Sequence, residues 1–325
     1  MKNISKLAIS GVFVSAVALS VPVQAETITL VNSDAIGSPI DRMNEWFAKE
    51  VEERSGGSLD INYIPGQQLG SAPQVMDQVS AGSIEMFGNS AAWLSPYAPD
   101  TQILSWGFAF RDADHMQTFL DSDLFGELTA EAQEVDRIRV LAAAPLESRI
   151  VFARAPLTGD DPFSGLKMRV PQIPAYLELW RAVGAQPTQV AWGEVFLAMS
   201  TGVVDAAEGP AGAAYAQRFH ESGPNVYLTD HLFDTTTFVI NEDRYQALSS
   251  EHQELITTVA AEAVNWIRDE AEAARAETLE KMEAEGATVN DIDRGPLEDA
   301  AASAVGSMEE QGLWRSGLFE AVQDL

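Results

Sequence analysis

The 325-residue chain contains no cysteine. It therefore has no disulfide to hold its fold, no thiol nucleophile and no cysteine-ligated metal. Positive charge is also scarce, with 20 Lys and Arg against 49 Asp and Glu and a formal net charge of −29. A chain this acidic is repelled by DNA, RNA and anionic membrane surfaces, which excludes nucleic acid as a partner. The acidity reads as a well-solvated surface of the kind that suits saline surroundings. Long apolar runs are missing after the first two dozen residues, so no later segment reads as a bilayer span. Internal repeats and low-complexity tracts are absent, as are a G-x-S-x-G elbow, an H-E-x-x-H pair and the Walker and dinucleotide glycine fingerprints. His115, His220, His231 and His252 fall in polar helix- or loop-like contexts rather than in a nucleophilic triad. In so acidic a chain a pair of carboxylates is uninformative. No catalytic residue, metal set or cofactor is read from it.

What is present begins with an export signal. Lys2 and Lys6 precede an apolar run from Leu7 to Leu19, and Val23-Gln24-Ala25 offers a small-residue cleavage site before Glu26. Ser10, Gly11, Ser15, Ser20 and Pro22 break the run too often for a membrane anchor. Removing residues 1–25 removes two lysines and no acids, taking the formal charge from −29 to −31. The remaining chain of about 300 residues suggests roughly two domains.

The first of them alternates strand and helix. Thr27–Asn32 is an alternating strand, followed by a Ser/Asp/Gly/Pro loop. Ile40, Met43, Trp46, Phe47 and Val51 line one side of a helix that Gly56-Gly57 stops. Leu59–Pro65 is the next strand, a helix ends near Gly82, and Ile84–Phe87 is a third strand. Such alternation builds a sheet covered by helices, with ligands outside the carboxyl ends of its strands. Val140–Ala144 and Glu147–Arg154 read as two strand segments carrying the chain into the second domain.

The most informative stretch runs from Phe163 to Pro210. Gly165-Leu166-Lys167-Met168-Arg169-Val170-Pro171 alternates apolar and basic residues and stops at proline, placing Arg169 at a strand's carboxyl end, away from the apolar face. Trp192–Ser200 has helical spacing with Gly202 as its stop, and Val203–Glu208 reads as a buried strand ending at Gly209-Pro210. Where cations are scarce, arginines at strand ends stand out. From the residues alone, Arg149 and Arg169 either serve a ligand or pair with structural carboxylates. A guanidinium matches both oxygens of a carboxylate, which a lysine cannot do.

The blocks G-L-K-M-R-V-P, G-A-Q-P-T and W-G-E-V-F-L-A-M-S-T-G-V-V-D-A-A-E-G-P, with Y-I-P-G-Q-Q-L-G and A-G-S-I-E-M upstream, resemble the DctP-type solute-binding proteins of TRAP transporters over nearly the whole mature chain. The resemblance implies a two-domain α/β periplasmic-binding-protein fold, type II-like, with a long helix from Glu251 to Gly286 bridging both domains. It implies domain I from 26–147 plus about 236–275, and domain II from 148–235 plus about 276–325. It further implies a periplasmic monomer that captures a small carboxylate-bearing solute and hands it to the membrane permease subunits of an ion-gradient-driven TRAP transporter. A binding protein of an ATP-driven importer is the main alternative, and an exported α/β hydrolase is a more distant one.

Residue by residue, the family places its ligand-clamping arginine at Arg169 and a second at Arg149. Trp192 falls where an aromatic faces the ligand, or else it packs a helix. Asn89, Ser90 and Trp93 would line the cleft from the first domain with Asn32 as neighbour, unless they serve only turn and core. Glu208 and Gly209 match a strand-end E-N-P motif with glycine in place of the amide, a change expected to leave space and to disfavour a sialic-type sugar acid. Glu208 either contacts ligand or tethers Arg169. Leu104-Ser105-Trp106-Gly107-Phe108 departs from the family's L-P-F-type sequence at the cleft rim, with Trp106 read as core.

Overall fold

A computed structural model describes residues 25–159 and 161–325. The export-signal reading, apart from Ala25, lies outside the described residues. Among these, no helix is long and apolar enough to cross a membrane.

The chain runs through β1 (Glu26–Val31), α1 (Pro39–Arg54), β2 (Leu59–Ile64), α2 (Ala72–Ser80), β3 (Met86–Asn89), α3 (Ala113–Leu120), α4 (Asp123–Glu134) and β4 (Ile138–Ala153). Then come β5 (Lys167–Val170), α5 (Pro174–Ala182), β6 (Gln186–Gln189), α6 (Val195–Thr201), β7 (Ala206–Pro210), α7 (Ala211–Ala216), α8 (Phe219–Ser222) and β8 (Asn225–Tyr227). The last elements are β9 (Phe233–Asn241), α9 (Glu242–Ala247), α10 (Ser250–Ala284), β10 (Thr288–Asn290), α11 (Gly295–Glu310) and α12 (Leu318–Gln323). Local chemistry explains the boundaries. Ser38 caps α1 by accepting the Asp41 amide, Pro39 occupies the first turn, and Ile40, Met43, Phe47 and Val51 turn one stripe to the core. At the other end of a helix, Gly202 takes the left-handed conformation that stops α6, which a side chain adopts only with strain.

Two lobes share one sheet in the order β2-β1-β3-β9-β4-β7-β5-β6. In the first lobe β1 pairs parallel with β2 and β3, and β9 runs antiparallel to β3. In the second, β5 pairs parallel with β6 and β7. The carboxyl ends of the parallel strands deliver Asn32, Asn89, Pro171 and Pro210 to the gap between lobes. The two strand segments expected on either side of Pro145 are a single strand, because β4 pairs with β9 over Ile138–Ser148 and then with β7 and β8 over Arg149–Ala153. Proline lacks a ladder donor, and the register between β4 and β9 slips between Pro145 and Ser148 without ending the strand. A second boundary also moves: the strand read from Val203 begins at Ala206, and Val203 is exposed.

The bridging helix is present as α10, 35 residues long, about 52 Å at 1.5 Å per residue. Ser249 caps it by accepting the His252 amide. Its Ile256, Val259, Ala260, Ala263, Val264, Ile267 and Ala271 join the core under α1 and β1, whereas Met282 joins the separate core of α6, α7 and β8. Glu272 to Lys281 bury no residue between those two anchorages. The tail departs from its expected place in the second lobe alone. Leu297 and Ala301 of α11 belong to the apolar cluster that includes Trp180, but Trp314 packs edge-on to Trp106 and the His115 Nε2–H donates to the Val322 carbonyl at 2.8 Å. The tail thereby ties the second lobe to the segment 98–120 of the first.

Candidate ligand-binding cleft

A cavity lies between the lobes, outside the strand ends, where open α/β sheets take their ligands. Its volume is about 70 Å³. Arg149, Arg169, Trp192, Asn89, Ser90 and Trp93 line it; Glu208, Gly209 and Asn32 do not.

The two arginines sit side by side and differ in what they have left to offer. β4 pairs with β7, which sets Arg149 opposite Pro210 and beside Glu208. Its Nε and Nη2 donate to the two carboxylate oxygens of Glu208, and its Nη1 donates to Asp234 Oδ2 at 2.8 Å. Its guanidinium also lies over the ring of Tyr176, 5.1 Å from the centroid. All three nitrogens are taken, so Arg149 contributes charge and rigidity to the wall rather than a free fork of donors. The Glu208 charge holds its pKa well above the usual value against the pull of burial.

Arg169 is 1 % exposed. Its Nε donates to the Val190 carbonyl at 2.9 Å, but Nη1 lies buried with no hydrogen-bond partner and 3.9 Å from Glu208 Oε1. Burial, partly offset by the charge of Glu208 and reinforced by that of Arg149, pushes its pKa down to about 10. A buried guanidinium nitrogen without an acceptor is costly, and an incoming carboxylate removes that cost. Burial alone would raise the Glu208 carboxyl, but Arg149 and the adjacent His231 hold it down at about 2. Glu208 is thus a buried counter-charge that Arg149 engages through both oxygens and Arg169 faces at 3.9 Å, and it does not line the cavity.

Trp192 lies against Arg169, whose guanidinium carbon is 5.3 Å from the ring centroid, and packs on Phe219 at 4.7 Å. Its Nε1 is buried and without a partner. Gly209 does not leave the space expected of it. A Cβ there would lie 2.8 Å from Trp192 Cη2, so the indole occupies the volume that a side chain would need. Glycine at this position admits the tryptophan rather than a larger ligand.

The first-lobe wall is held by its own amides and hydroxyls. Asn32 is fully buried beneath it, accepting from the Asp34 amide at 2.8 Å and from Asn89 Nδ2 at 3.2 Å. Asn89 also donates to Ser33 Oγ and accepts from Trp93 Nε1, which fixes the indole at the cavity edge. Ser90 Oγ donates to Asp234 Oδ1 at 3.0 Å, linking this wall to the carboxylate that holds Arg149. Asn32 therefore builds the wall without reaching the cavity.

Sequence reasoning passed over Asp34, Asp234, Tyr176 and Gln67, all of which line the cavity. Asp34 stood in plain view in the loop after the first strand, where its polarity read as ordinary turn chemistry. Asp234 is the second residue of β9, and Tyr176 sits in the first turn of α5 after Pro174, neither in a motif that singles it out. Burial and the charge of Asp234 push the Asp34 carboxyl up to about 7, against the opposing pull of Arg149 and Asn89. Gln67 crosses the gap: a Cβ on Gly193 would meet its Oε1 at 2.5 Å, so the two lobes touch at the cavity mouth.

Two lobes joined by strands and a long helix, with a buried guanidinium at the cleft whose Nη1 has no hydrogen-bond partner among the described residues, have the architecture of a solute-binding protein. Residues 33–311 match the model of the bacterial extracellular solute-binding proteins, family 7 (DctP), and the chain belongs to that family. It is similar to the sialic acid-binding periplasmic protein SiaP of Vibrio cholerae, 26% identical over 92% of this chain and 93% of that one. The ectoine-binding periplasmic protein TeaA of Halomonas elongata is 28% identical over 76% of this chain and 73% of its own. Among solved structures, a TRAP periplasmic solute-binding protein of Pseudomonas putida F1 with bound D-glucuronate superposes with a TM-score of 0.84 at 26% identity, covering 92% of this chain and 97% of that one. The chain is accordingly a transport receptor of the periplasm, not an enzyme, and it works with TRAP-type membrane subunits.

Proposed function

We propose that this receptor captures a small organic acid through Arg169 and delivers it to an ion-gradient-driven permease. One observation carries the reading: Arg169 Nη1 is buried at the cavity wall with no acceptor, while its Nε is held by Val190. A carboxylate supplies the missing acceptor and a charge opposite to that of the guanidinium. Relatives named for sialic acid and D-glucuronate take acids, which supports the class, while the small cavity favours a compact member of it. Arg149, Glu208 and Asp234 hold the neighbouring wall rigid, Trp192 and Tyr176 cover apolar parts of the solute, and Asn89, Ser90 and Trp93 meet it from the first lobe.

Only the closed form brings both walls to the ligand, so binding stabilises closure. The lobes that close are 26–147 with about 236–275, and 148–235 with about 276–311; the tail beyond bridges them. The protein acts as a monomer after removal of residues 1–25. A thermal-shift screen of the mature protein against organic acids, sugar acids and uncharged sugars tests this, with Arg169→Met alongside. A ligand at 100 times its dissociation constant adds about 2.7 kcal/mol of stability. An acid that stabilises the wild type but not the variant supports the clamp; equal shifts in both proteins would remove it.

A further inference from the structure

The charges around the cavity are already balanced before any solute arrives. Arg149 and Arg169 face Glu208 and Asp234, two charges of each sign. Asp34 is a third carboxyl at the same cavity and forms no salt bridge among the described residues, although the charge of Arg149, already paired with Glu208 and Asp234, reaches it. Asn89 is the amide beside it, and its Nδ2 is shared with Asn32 and Ser33. Asp34 also lies near Asp234 and Asp41, and the latter accepts from Tyr63 and from the Gly37 amide. The first-lobe wall is therefore a concentration of negative charge. Trp93, tied to the same Asn89, presents an indole there, and whereas Tyr176 and Trp192 each lie under an arginine, no cation among the described residues covers Trp93.

An anionic solute with no compensating charge would add a negative charge to a cleft that ionised Asp34 tips negative, and a dicarboxylate would add two. Like charges in a low-dielectric enclosure are strongly disfavoured. A solute carrying one carboxylate and one cationic nitrogen adds no net charge and answers both unpaired groups. Its carboxylate meets Arg169, and its cation meets Asp34 and the face of Trp93. We infer that the receptor's solute is a compact zwitterion, an ammonium or amidinium carboxylate, and that Asp34 is the residue selecting it over plain acids. The inference rests on the carboxylate-clamp reading of Arg169 and extends it by naming the solute class.

The pH dependence gives a signature of opposite sign for the two kinds of solute. With Asp34 near 7 in the free protein, a cation drives its proton off, so a zwitterion binds more tightly as pH rises from about 6 to 8. An uncompensated anion instead requires Asp34 to keep its proton, and it binds more weakly over the same range. Asp234, Arg149, Asp41 and Asn89 are the groups that set this titration, and none of them is changed in the test.

Calorimetry on the mature protein, Asp34→Asn and Arg169→Met would use L-proline and a tetrahydropyrimidine carboxylate as zwitterions, D-glucuronate as monoanion and succinate as dianion. The expected result is a zwitterion that binds more tightly than either anion and gains affinity from about pH 6 to 8. Asp34→Asn should weaken it about tenfold or more and abolish the pH dependence, and Arg169→Met should abolish binding. If the anions bind and every zwitterion is silent, or if Asp34→Asn leaves zwitterion affinity intact, the inference falls while the clamp survives. If Arg169→Met binds acids as the wild type does, the clamp itself falls.

Discussion

The two walls of the cleft are built on opposite plans. In the second lobe, Arg169 Nη1 is buried at the cavity with no hydrogen-bond partner among the described residues. In the first lobe, Asn32, Ser33, Asn89 and Trp93 satisfy one another. One wall is under-satisfied and gains when a ligand arrives. The other is nearly self-sufficient, and it discriminates mainly by shape and by the charge of Asp34. Within the second-lobe wall the same contrast recurs between neighbours, since Arg149 is saturated and Arg169 is not. Burial is nearly the same for both; the difference is where the carboxylates lie.

The largest effects follow from that last pair. Arg149→Met strands Glu208 and Asp234 without their shared cation, and breaking a buried pair in this way costs about 3–5 kcal/mol of stability. Its melting temperature should fall steeply even without ligand. Arg169→Met leaves the pairing of Glu208 with Arg149 in place, so its ligand-free melting should change far less, while affinity drops by some two to three decades, about 3–4 kcal/mol. Measuring both variants by calorimetry and thermal melting separates the roles, and interchangeable behaviour of the two would erase the distinction.

Gly209→Ala comes next. The added methyl meets the Trp192 ring at 2.8 Å, and the indole must yield toward the cavity. Affinity should fall about tenfold or more, near 1.4 kcal/mol, and the tryptophan fluorescence of the free protein should change with it. An unchanged affinity would mean that the ring retreats elsewhere.

A milder effect is expected from pH. The Asp34 and Glu147 carboxyls are both pushed up to about 7, Asp34 by burial and the charge of Asp234, and Glu147 by burial despite the Gly212 amide that donates to it. Raised carboxyl pKa values mean that the folded state holds protons which the unfolded chain has released. Their contribution therefore makes the ligand-free protein less stable as pH rises from about 4 to 7. Glu208 works in the opposite sense, its stabilisation being full above about 4.5 and lost as pH falls toward 2. Melting curves of the wild type and Glu147→Gln across this range should show a flatter neutral limb in the variant. The smallest effect belongs to Gly193→Ala, which meets only the movable end of Gln67. Affinity should decline by less than about tenfold, with the loss in the association rate if that contact forms during closure.

These contrasts bear on what the chain declares in advance. The alternation of strand and helix, the long helix and the strand-end position of Arg169 were legible because each is written in local periodicity and proline or glycine punctuation. The continuity of β4 was not, because Pro145 reads as a stop until its partner strand is known. Arg149 and Arg169 looked alike in sequence, each a basic residue in an alternating strand. Only the register of β4 against β7, and the placing of Asp234 beside it, decides which is consumed. Gly209 misled for the same reason, since a missing side chain signals space only if no neighbour fills it. Asp34 was hidden by abundance, one acid among 49.

The uncovered middle of α10 has a mechanical consequence. No residue from Glu272 to Lys281 is fully buried, and between Ala271 and Met282 this stretch is held to the second lobe by the Arg275–Asp230 pair and the half-buried Leu279, so it works like a lightly pinned leaf spring. Gentle curvature is easily accommodated by a helix, and whatever curvature closure imposes is elastic energy returned on opening. Part of the solute's grip is then set by a segment that never meets it. Stiffening that span with stronger i,i+4 pairs, or softening it with glycine, should change the residence time while every cleft contact stays as it is.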